Sequence, residues 1–223
     1  MATRPYTFSV GEFYHVYNRG TEKRSIFLDT RDKSRFLTLL YICNNRDSIL
    51  SRDIPKDRPF ETKRGEILVD IGAYCLMGNH FHLLPYEKVE NGISTFMQKL
   101  STAYAMYFNR KRERTGSLFE GKFKARHSAD DDYLKYLFAY IHLNPVEHIE
   151  PAWKENGIKN MRKAKTYLEE YYYSSYQDYL GVTRGVSIIL NRSAFPDYFS
   201  KKNSFASFVQ NWLQFKSYED NIF

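Results

Sequence analysis

The chain has 223 residues, of which 43% are hydrophobic, and a formal net charge of +7. This size and apolar content suit one compact domain with an appended subdomain. No stretch approaches the roughly 18 consecutive apolar residues of a membrane span, and the first residues lack the apolar run of a signal peptide. Cys43 and Cys75 lack CxxC spacing and indicate small buried side chains in a reducing compartment, so we expect a cytoplasmic protein.

Strands are predicted where apolar and polar residues alternate, and helices where apolar residues recur at spacings of three and four. In chain order the predictions are a strand over 13–18, a helix over 32–43, a polar loop over 44–65, a strand over 67–77, a strand from residue 80, a helix over 93–107 running on toward 110, a strand or hairpin over 116–127, and a helix after the aspartates 130–132 that ends near 144. This order predicts an α+β fold, a ferredoxin-like antiparallel sheet with helices on one face.

Two histidines, His80 and His82, are the first candidate functional feature. Side chains two apart on a strand point to the same face of the sheet, so both imidazoles can reach one metal ion. Phe81, Leu83 and Leu84 are apolar, as expected for a strand buried on its other face. The pair alone is a weak signal, because two structural histidines at this spacing would look the same.

Tyr140 and Asn144 form a second constellation, since residues four apart share one helix face. Taken alone, Tyr140 is an ordinary packing tyrosine and Asn144 ends a helix before proline. Together with the histidines, the amide oxygen can help hold a divalent cation that leaves positions open for phosphate oxygens. A phenol one turn away can then attack the phosphorus. The sequence names no general base, because His142 lies nearly opposite Tyr140 on the helix.

A basic block over residues 99–126 precedes the helix predicted to carry Tyr140. It contains only two acidic residues, Glu113 and Glu120, and eight basic ones: Lys99, Arg110, Lys111, Arg112, Arg114, Lys122, Lys124 and Arg126. Aromatic residues such as Tyr104 and Tyr107 are interleaved with them. Cationic side chains neutralise phosphates and exposed rings stack on unpaired bases, so the block predicts single-stranded nucleic-acid binding. A solvated helix face is the alternative.

Four segments carry a resemblance to a known family: YHVYNRG (14–20), AYCLMGNHFHLLP (73–85), FMQKLSTAYAMYFNRKRERTGSLFEGKFKA (96–125) and YLKYLFAYIHLNPVEH (133–148). In order and spacing over about residues 8–150, the chain resembles the single-tyrosine HUH transposases, and among them the REP-associated tyrosine transposases. The resemblance implies a ferredoxin-like catalytic domain, a divalent metal (Mg²⁺ or Mn²⁺) and a helix-borne nucleophile. The implied activity is cleavage and joining of single-stranded DNA near small hairpins through a 5′-phosphotyrosine.

Matched by position, the resemblance implies that His80 and His82 are the metal-binding pair and that Tyr140 is the nucleophile. Asn144 falls where related transposases place a third polar ligand, often Gln, and is the expected third metal ligand. We expect a catalytic domain over 8–150 and an accessory helical region over 151–223, for which the resemblance implies no function. The expected partner is single-stranded DNA with REP-like hairpins, not a membrane, and the expected state is a monomer or homodimer.

Two other functions are consistent with the same residues. A non-catalytic single-strand-binding module would keep the fold and the basic groove, since ferredoxin-like sheets bind RNA by aromatic stacking. The complete set of candidate site residues argues against lost catalysis. A metal-dependent hydrolase that uses water would leave no covalent adduct between protein and DNA.

Overall fold

The computed structural model describes residues 7–196, 205 and 207, and its centre is a four-stranded antiparallel sheet in the order β2-β3-β1-β4. The strands are β1 (Tyr14–Arg19), β2 (Val69–Leu76), β3 (His80–Glu87) and β4 (Lys124–His127). The helices are α1 (Thr30–Ile42), α2 (Gly92–Lys111), α3 (Asp131–Leu143), α4 (Trp153–Asn156), α5 (Met161–Glu170) and α6 (Tyr176–Tyr179). The order β1-α1-β2-β3-α2-β4-α3 confirms the predicted succession and is ferredoxin-like.

The helices cover both faces of the sheet, whereas the sequence led us to expect them on one face. Helices α1 and α2 pack on the face that carries Val16 and Phe81, and α3 packs on the face that carries Cys75 and Leu84. All of β2 is buried, as a strand covered on both sides must be. Apolar spacing shows that a helix has a buried stripe, but it does not show which face of a sheet receives that stripe. The α+β class and the antiparallel sheet are confirmed.

The ends of α3 follow from local sequence. The Asp130 side chain accepts a hydrogen bond from Tyr133 N at 2.7 Å and so satisfies a backbone donor of the first turn. Pro145 stops the α-helix, and a 3₁₀ turn over Asn144–His148 follows. Tyr140 therefore lies in the last turn of α3. Among the described helices, none is both long and apolar enough to cross a membrane.

The chain after residue 150 packs against β2 and α3. Strand β2 lies at the edge of the sheet, and its outer edge pairs with residues 173–175: Leu76 N donates to Tyr173 O at 2.9 Å, and Ser175 N donates to Tyr74 O at 3.0 Å. This pairing covers backbone groups that would otherwise form an open sheet edge. These contacts cross the predicted boundary at residue 150, which stays a prediction. Residues 197–204, 206 and 208–223 of the predicted accessory region lie outside the described residues.

His142 joins α3 to this C-terminal segment. Its Nδ1 donates to Phe138 O and its Nε2 accepts from Ser175 Oγ, each at 2.7 Å. The side chain is fully buried, and this burial lowers the pKa of His142 to about 4. His142 is therefore committed to packing, in agreement with its placement away from Tyr140 in the sequence analysis.

This histidine makes the stability of the fold depend on pH. The unfolded chain binds a proton on His142 near pH 6.5, and the folded chain does so only at about pH 4. Its contribution is therefore present above pH 6.5 and is lost as the pH falls toward 4. Between pH 6.5 and pH 5 the loss through this group should be about 1.5 kcal/mol.

Urea unfolding of the wild type and of His142→Gln across this pH range tests the prediction. The variant lacks this titration, whereas the other buried histidines titrate in both proteins and cancel in the difference. The difference in the free energy of unfolding between the wild type and His142→Gln should shrink by about 1.5 kcal/mol as the pH falls from 6.5 to 5. A gap that stays constant with pH would show that His142 titrates alike in both states.

Candidate active site

The candidate site lies between the sheet and the last turn of α3. His80 and His82 share one face of β3, and their ring centroids are 5.0 Å apart with the planes at 84°. The Tyr140 ring lies 5.4 Å from the His82 ring. All three side chains are buried. The structure thus brings the predicted histidine pair and the predicted nucleophile together.

The hydrogen bonds of His80 define its tautomer. Asn79 Nδ2 donates to Lys23 O at 3.1 Å, which directs Asn79 Oδ1 toward His80. Because an amide oxygen only accepts, His80 Nδ1, 2.6 Å away, carries the proton. Nε2 of His80 then keeps its lone pair, the state in which an imidazole binds a metal. Burial, followed by the charge of Lys154, lowers the pKa of His80 to about 3, so the ring is neutral at neutral pH.

A third histidine, His15 on β1, belongs to the site and was not singled out by the sequence analysis. Its Nε2 lies 2.9 Å from His82 Nδ1, and the two rings stack with centroids 5.0 Å apart. Burial lowers the pKa of His15 to about 3 and holds the pKa of His82 well below its ordinary value. Both rings are therefore neutral, and one of them donates to the other. With His82 Nδ1 as the donor, His82 Nε2 keeps its lone pair, as Nε2 of His80 does.

Asn144 is fixed by the end of the helix that carries Tyr140. Its Nδ2 donates to the backbone oxygen of Tyr140 at 2.7 Å, and its Oδ1 lies 3.5 Å from Lys154 Nζ. The amide nitrogen is thus bonded to the helix, and the amide oxygen faces Lys154 Nζ. Burial raises the pKa of Tyr140 above its ordinary value, an effect that the Asn144 side chain partly offsets. The Tyr140 side chain is therefore a neutral phenol, and its ionisation would require nearby positive charge.

The donor set is compatible with a divalent cation. Two neutral imidazoles, from His80 and His82, and the Asn144 amide oxygen are all suitable ligands. Within residues 7–196, 205 and 207, no group of three or more His, Cys, Asp or Glu side chains forms a metal site. The third candidate ligand, Asn144, is an amide and does not belong to these residue types.

Two of the eight predicted DNA-binding residues lie beside this site. Lys124 and Arg126 are exposed on β4, directly opposite Tyr17 and His15 on β1. Cross-strand partners point to the same face of a sheet, so both cations lie on the face that carries the histidines. The Arg126 guanidinium also lies 4.9 Å from the centre of the Tyr133 ring on α3. A phosphate backbone that follows β4 toward Tyr140 would meet both charges.

The other predicted DNA-binding residues have different surroundings. Lys111 and Arg112, at the end of α2, both bind Asp29 and Asp32, and the Asp32 side chain is fully buried. Charges that are neutralised within the fold contribute less to a phosphate-binding surface. Of the remaining four residues, two bind other parts of the fold. Lys99 donates to the backbone oxygens of residues 45–47, and Arg114 donates to Asn109 Oδ1. The other two, Arg110 and Lys122, are exposed to solvent.

These surroundings predict different roles for two pairs of cations. Replacing Lys124 and Arg126 together with Met should lower the slope of log K against log salt for single-stranded DNA by about 1.4, since each phosphate contact contributes about 0.7. Replacing Lys111 and Arg112 with Met should leave that slope nearly unchanged and lower the melting temperature, because Asp32 would be left buried without its cations. Fluorescence anisotropy over a salt series measures the slopes. Equal slopes for the Lys124/Arg126 variant and the wild type would place the DNA elsewhere.

Comparisons with known proteins give a family match and a fold match. Residues 37–144 match a family model described as "Transposase IS200 like". No curated protein matches the chain. Seven chains of solved structures match, and one of them is described as "Structure of the REP associates tyrosine transposase bound to a REP hairpin". It aligns with 90% of this chain and 97% of its own at 14% sequence identity and a TM-score of 0.50, a likeness of fold.

Proposed function

We propose that this chain cleaves and rejoins single-stranded DNA beside hairpins, because residues 37–144 match the model of the IS200-like transposase family. The observation that supports this most directly is the contact between the Tyr140 and His82 rings at 5.4 Å, with Asn144 one turn further along. The Tyr140 phenol thus lies beside the His82 imidazole, and the His80 ring is 5.0 Å from that of His82. We assign Tyr140 as the nucleophile and His80, His82 and Asn144 as the metal ligands.

The proposed reaction exchanges one phosphodiester for another. The Oη of Tyr140 forms a bond to phosphorus while the bond from phosphorus to the 3′-oxygen breaks. The phenolic proton is lost to solvent, and the departing 3′-oxygen takes up a proton, so a 3′-hydroxyl and a 5′-phosphotyrosine result. A divalent cation, Mg²⁺ or Mn²⁺, held by His80, His82 and Asn144 would polarise the phosphate. Because the ester conserves the phosphodiester bond, attack by a second 3′-hydroxyl rejoins strands.

The sheet and α3 position the candidate ligands and the proposed nucleophile next to one another. His80 and His82 lie on a central strand, and Tyr140 lies on a helix whose beginning is capped by Asp130. The Asn79 contact sets the tautomer of His80, and the His15 contact is compatible with the tautomer of His82 that would leave Nε2 available to a metal. Such outer contacts orient metal-binding histidines and increase metal affinity. We propose that residues 8–150 form the catalytic domain to which this site belongs.

The proposed DNA is single-stranded and carries a hairpin, as in the solved transposase described as bound to a REP hairpin. Lys124 and Arg126 are proposed to hold its backbone beside β4, which directs an unpaired strand across the histidine face. The other six basic residues of the block, Lys99, Arg110, Lys111, Arg112, Arg114 and Lys122, are proposed as weaker contributors. Duplex DNA without an unpaired flank should compete poorly for this surface.

The test is formation of a covalent adduct. The protein is incubated with single-stranded oligonucleotides that are labelled at the 3′ end and contain hairpin-forming repeats from the flanks of its gene, with Mg²⁺, Mn²⁺ or EDTA, and is resolved on a denaturing gel. Label that stays on the protein only when metal is present supports strand transfer. Cut DNA without labelled protein would indicate a hydrolase. Binding without either product would indicate a non-catalytic single-strand-binding module.

A further inference from the structure

Lys154 lies in the candidate site although it comes from α4, beyond the matched residues 37–144 and in the region for which no chemical role was predicted. Its Nζ is 5.3 Å from the centre of the Tyr140 ring. The same atom is 3.5 Å from Asn144 Oδ1 and 3.2 Å from Glu147 Oε2. The side chain retains 32% exposure, so the cation lies at the mouth of the site and not in its interior.

The contacts of Lys154 hold its charge close to the nucleophile. The ring of Tyr140 and the Glu147 carboxylate approach the same ammonium group, and both interactions are attractive. A partly exposed ion pair contributes little to stability, so the pair with Glu147 does not by itself account for the position of this cation. A phosphate oxygen is a stronger acceptor for this ammonium group than the neutral amide oxygen of Asn144, so bound DNA can compete for the charge of Lys154.

We propose that Lys154 binds a non-bridging oxygen of the phosphate that Tyr140 attacks and is a further catalytic residue of the reaction. This inference rests on the proposed function. As the bond between Tyr140 Oη and phosphorus forms and the bond to the 3′-oxygen breaks, negative charge is redistributed among the phosphate oxygens. Lys154 stays protonated throughout and stabilises that charge, while the phenolic proton leaves to solvent and the 3′-oxygen takes one up. A fixed cation aimed at developing charge is among the largest sources of rate enhancement.

Lys154→Met removes the charge and keeps the length of the side chain. In single-turnover reactions at saturating DNA, it should slow adduct formation about 100-fold, the effect of losing one donor to transition-state charge. The DNA dissociation constant should change only a few-fold, because one phosphate contact among several is lost. Lys154→Arg should stay within about tenfold of the wild type, because the charge remains. The matched control is Lys165→Met on α5, a more exposed lysine that is paired with Glu169 and should react like the wild type.

A DNA substrate with an uncharged linkage at the cleavage site distinguishes a direct contact between Lys154 and the phosphate from a purely structural role of Lys154. After the wild type has located the cleaved linkage, one non-bridging oxygen there is replaced by a methyl group, and each isomer is tested. The rate ratio of wild type to Lys154→Met should fall from about 100 to below about 10 for at least one isomer, because the charge that Lys154 binds is absent. A melting curve verifies folding, and Lys154→Gln, with the same expectation, replaces any variant that unfolds.

The outcomes separate this inference from the function on which it rests. A wild type that forms no adduct on any hairpin oligonucleotide would overturn both. A wild type that forms the adduct, with Lys154→Met reacting equally fast, would overturn the role of Lys154 alone. A 100-fold penalty that persists on both methyl-substituted isomers would likewise overturn it, since the lysine would then act by shaping the site.

Discussion

Replacement of Tyr140 by phenylalanine is expected to abolish formation of the covalent protein–DNA adduct and strand cleavage. The variant keeps the ring that contacts His82 and His15, at centroid distances of 5.4 and 5.8 Å, and loses only the oxygen that would attack phosphorus. Binding of single-stranded hairpin DNA should therefore stay within a few-fold of the wild type. Gel detection of labelled protein measures the first quantity, and anisotropy measures the second.

Tyr136→Phe is the matched control for this experiment. Tyr136 lies one turn before Tyr140, and the two rings stack with centroids 5.8 Å apart. Its replacement should leave adduct formation close to the wild-type rate. Adduct formation by Tyr140→Phe that is lost in Tyr136→Phe would assign the nucleophile to Tyr136.

Replacing His80 or His82 with alanine should each reduce metal-dependent cleavage by at least about 100-fold. Each change removes one of three proposed protein ligands, and loss of even an outer-shell partner commonly costs about 10- to 100-fold in metal affinity or activity. Asn144→Ala should be milder, because a water molecule can replace the amide oxygen. Cleavage rates at a series of Mn²⁺ concentrations would show the defect as a higher metal requirement, and Mn²⁺ binding followed by calorimetry gives a readout that does not depend on activity.

His127→Ala provides the control for these changes. His127 lies on β4 opposite Tyr14, on the face of the sheet that α1 and α2 cover, and pairs with Glu12. Its loss should leave both Mn²⁺ binding and cleavage near wild-type values. Unchanged Mn²⁺ affinity in either His80→Ala or His82→Ala would move the metal site elsewhere in the protein.

Local pattern was enough to predict the elements and the faces on which the candidate site residues lie. The alternation around His80 and His82 requires a strand that presents both rings on one face, and the spacing of Tyr140 and Asn144 requires a shared helix face. That α3 packs over the histidines, on the face opposite α1 and α2, did not follow from the pattern, which led us to expect all helices on one face. The helix boundaries also followed from local signals, with Asp130 at one end of α3 and Pro145 at the other.

What the sequence could not supply were contacts between residues far apart in the chain. His15 approaches His82 because β1 and β3 are neighbours in the sheet, and Lys154 reaches Tyr140 because the chain turns back after Pro145. The basic block illustrates the same limit. Lys124 and Arg126 lie on the histidine face, whereas Lys111 and Arg112 are bound by Asp29 and Asp32 of the α1 region, and neither relation is visible from charge alone.

The most direct test of the central proposal is the identity of the residue linked to DNA. The wild-type adduct is treated with nuclease and trypsin, and the peptide over residues 136–154, which holds both Tyr136 and Tyr140, is fragmented in a mass spectrometer. We predict a 5′-nucleotide joined through phosphate to Tyr140, with a free 3′-hydroxyl on the released strand. A nucleotide on any other residue, or a 3′-phosphate on the protein-linked strand, would contradict the proposed reaction.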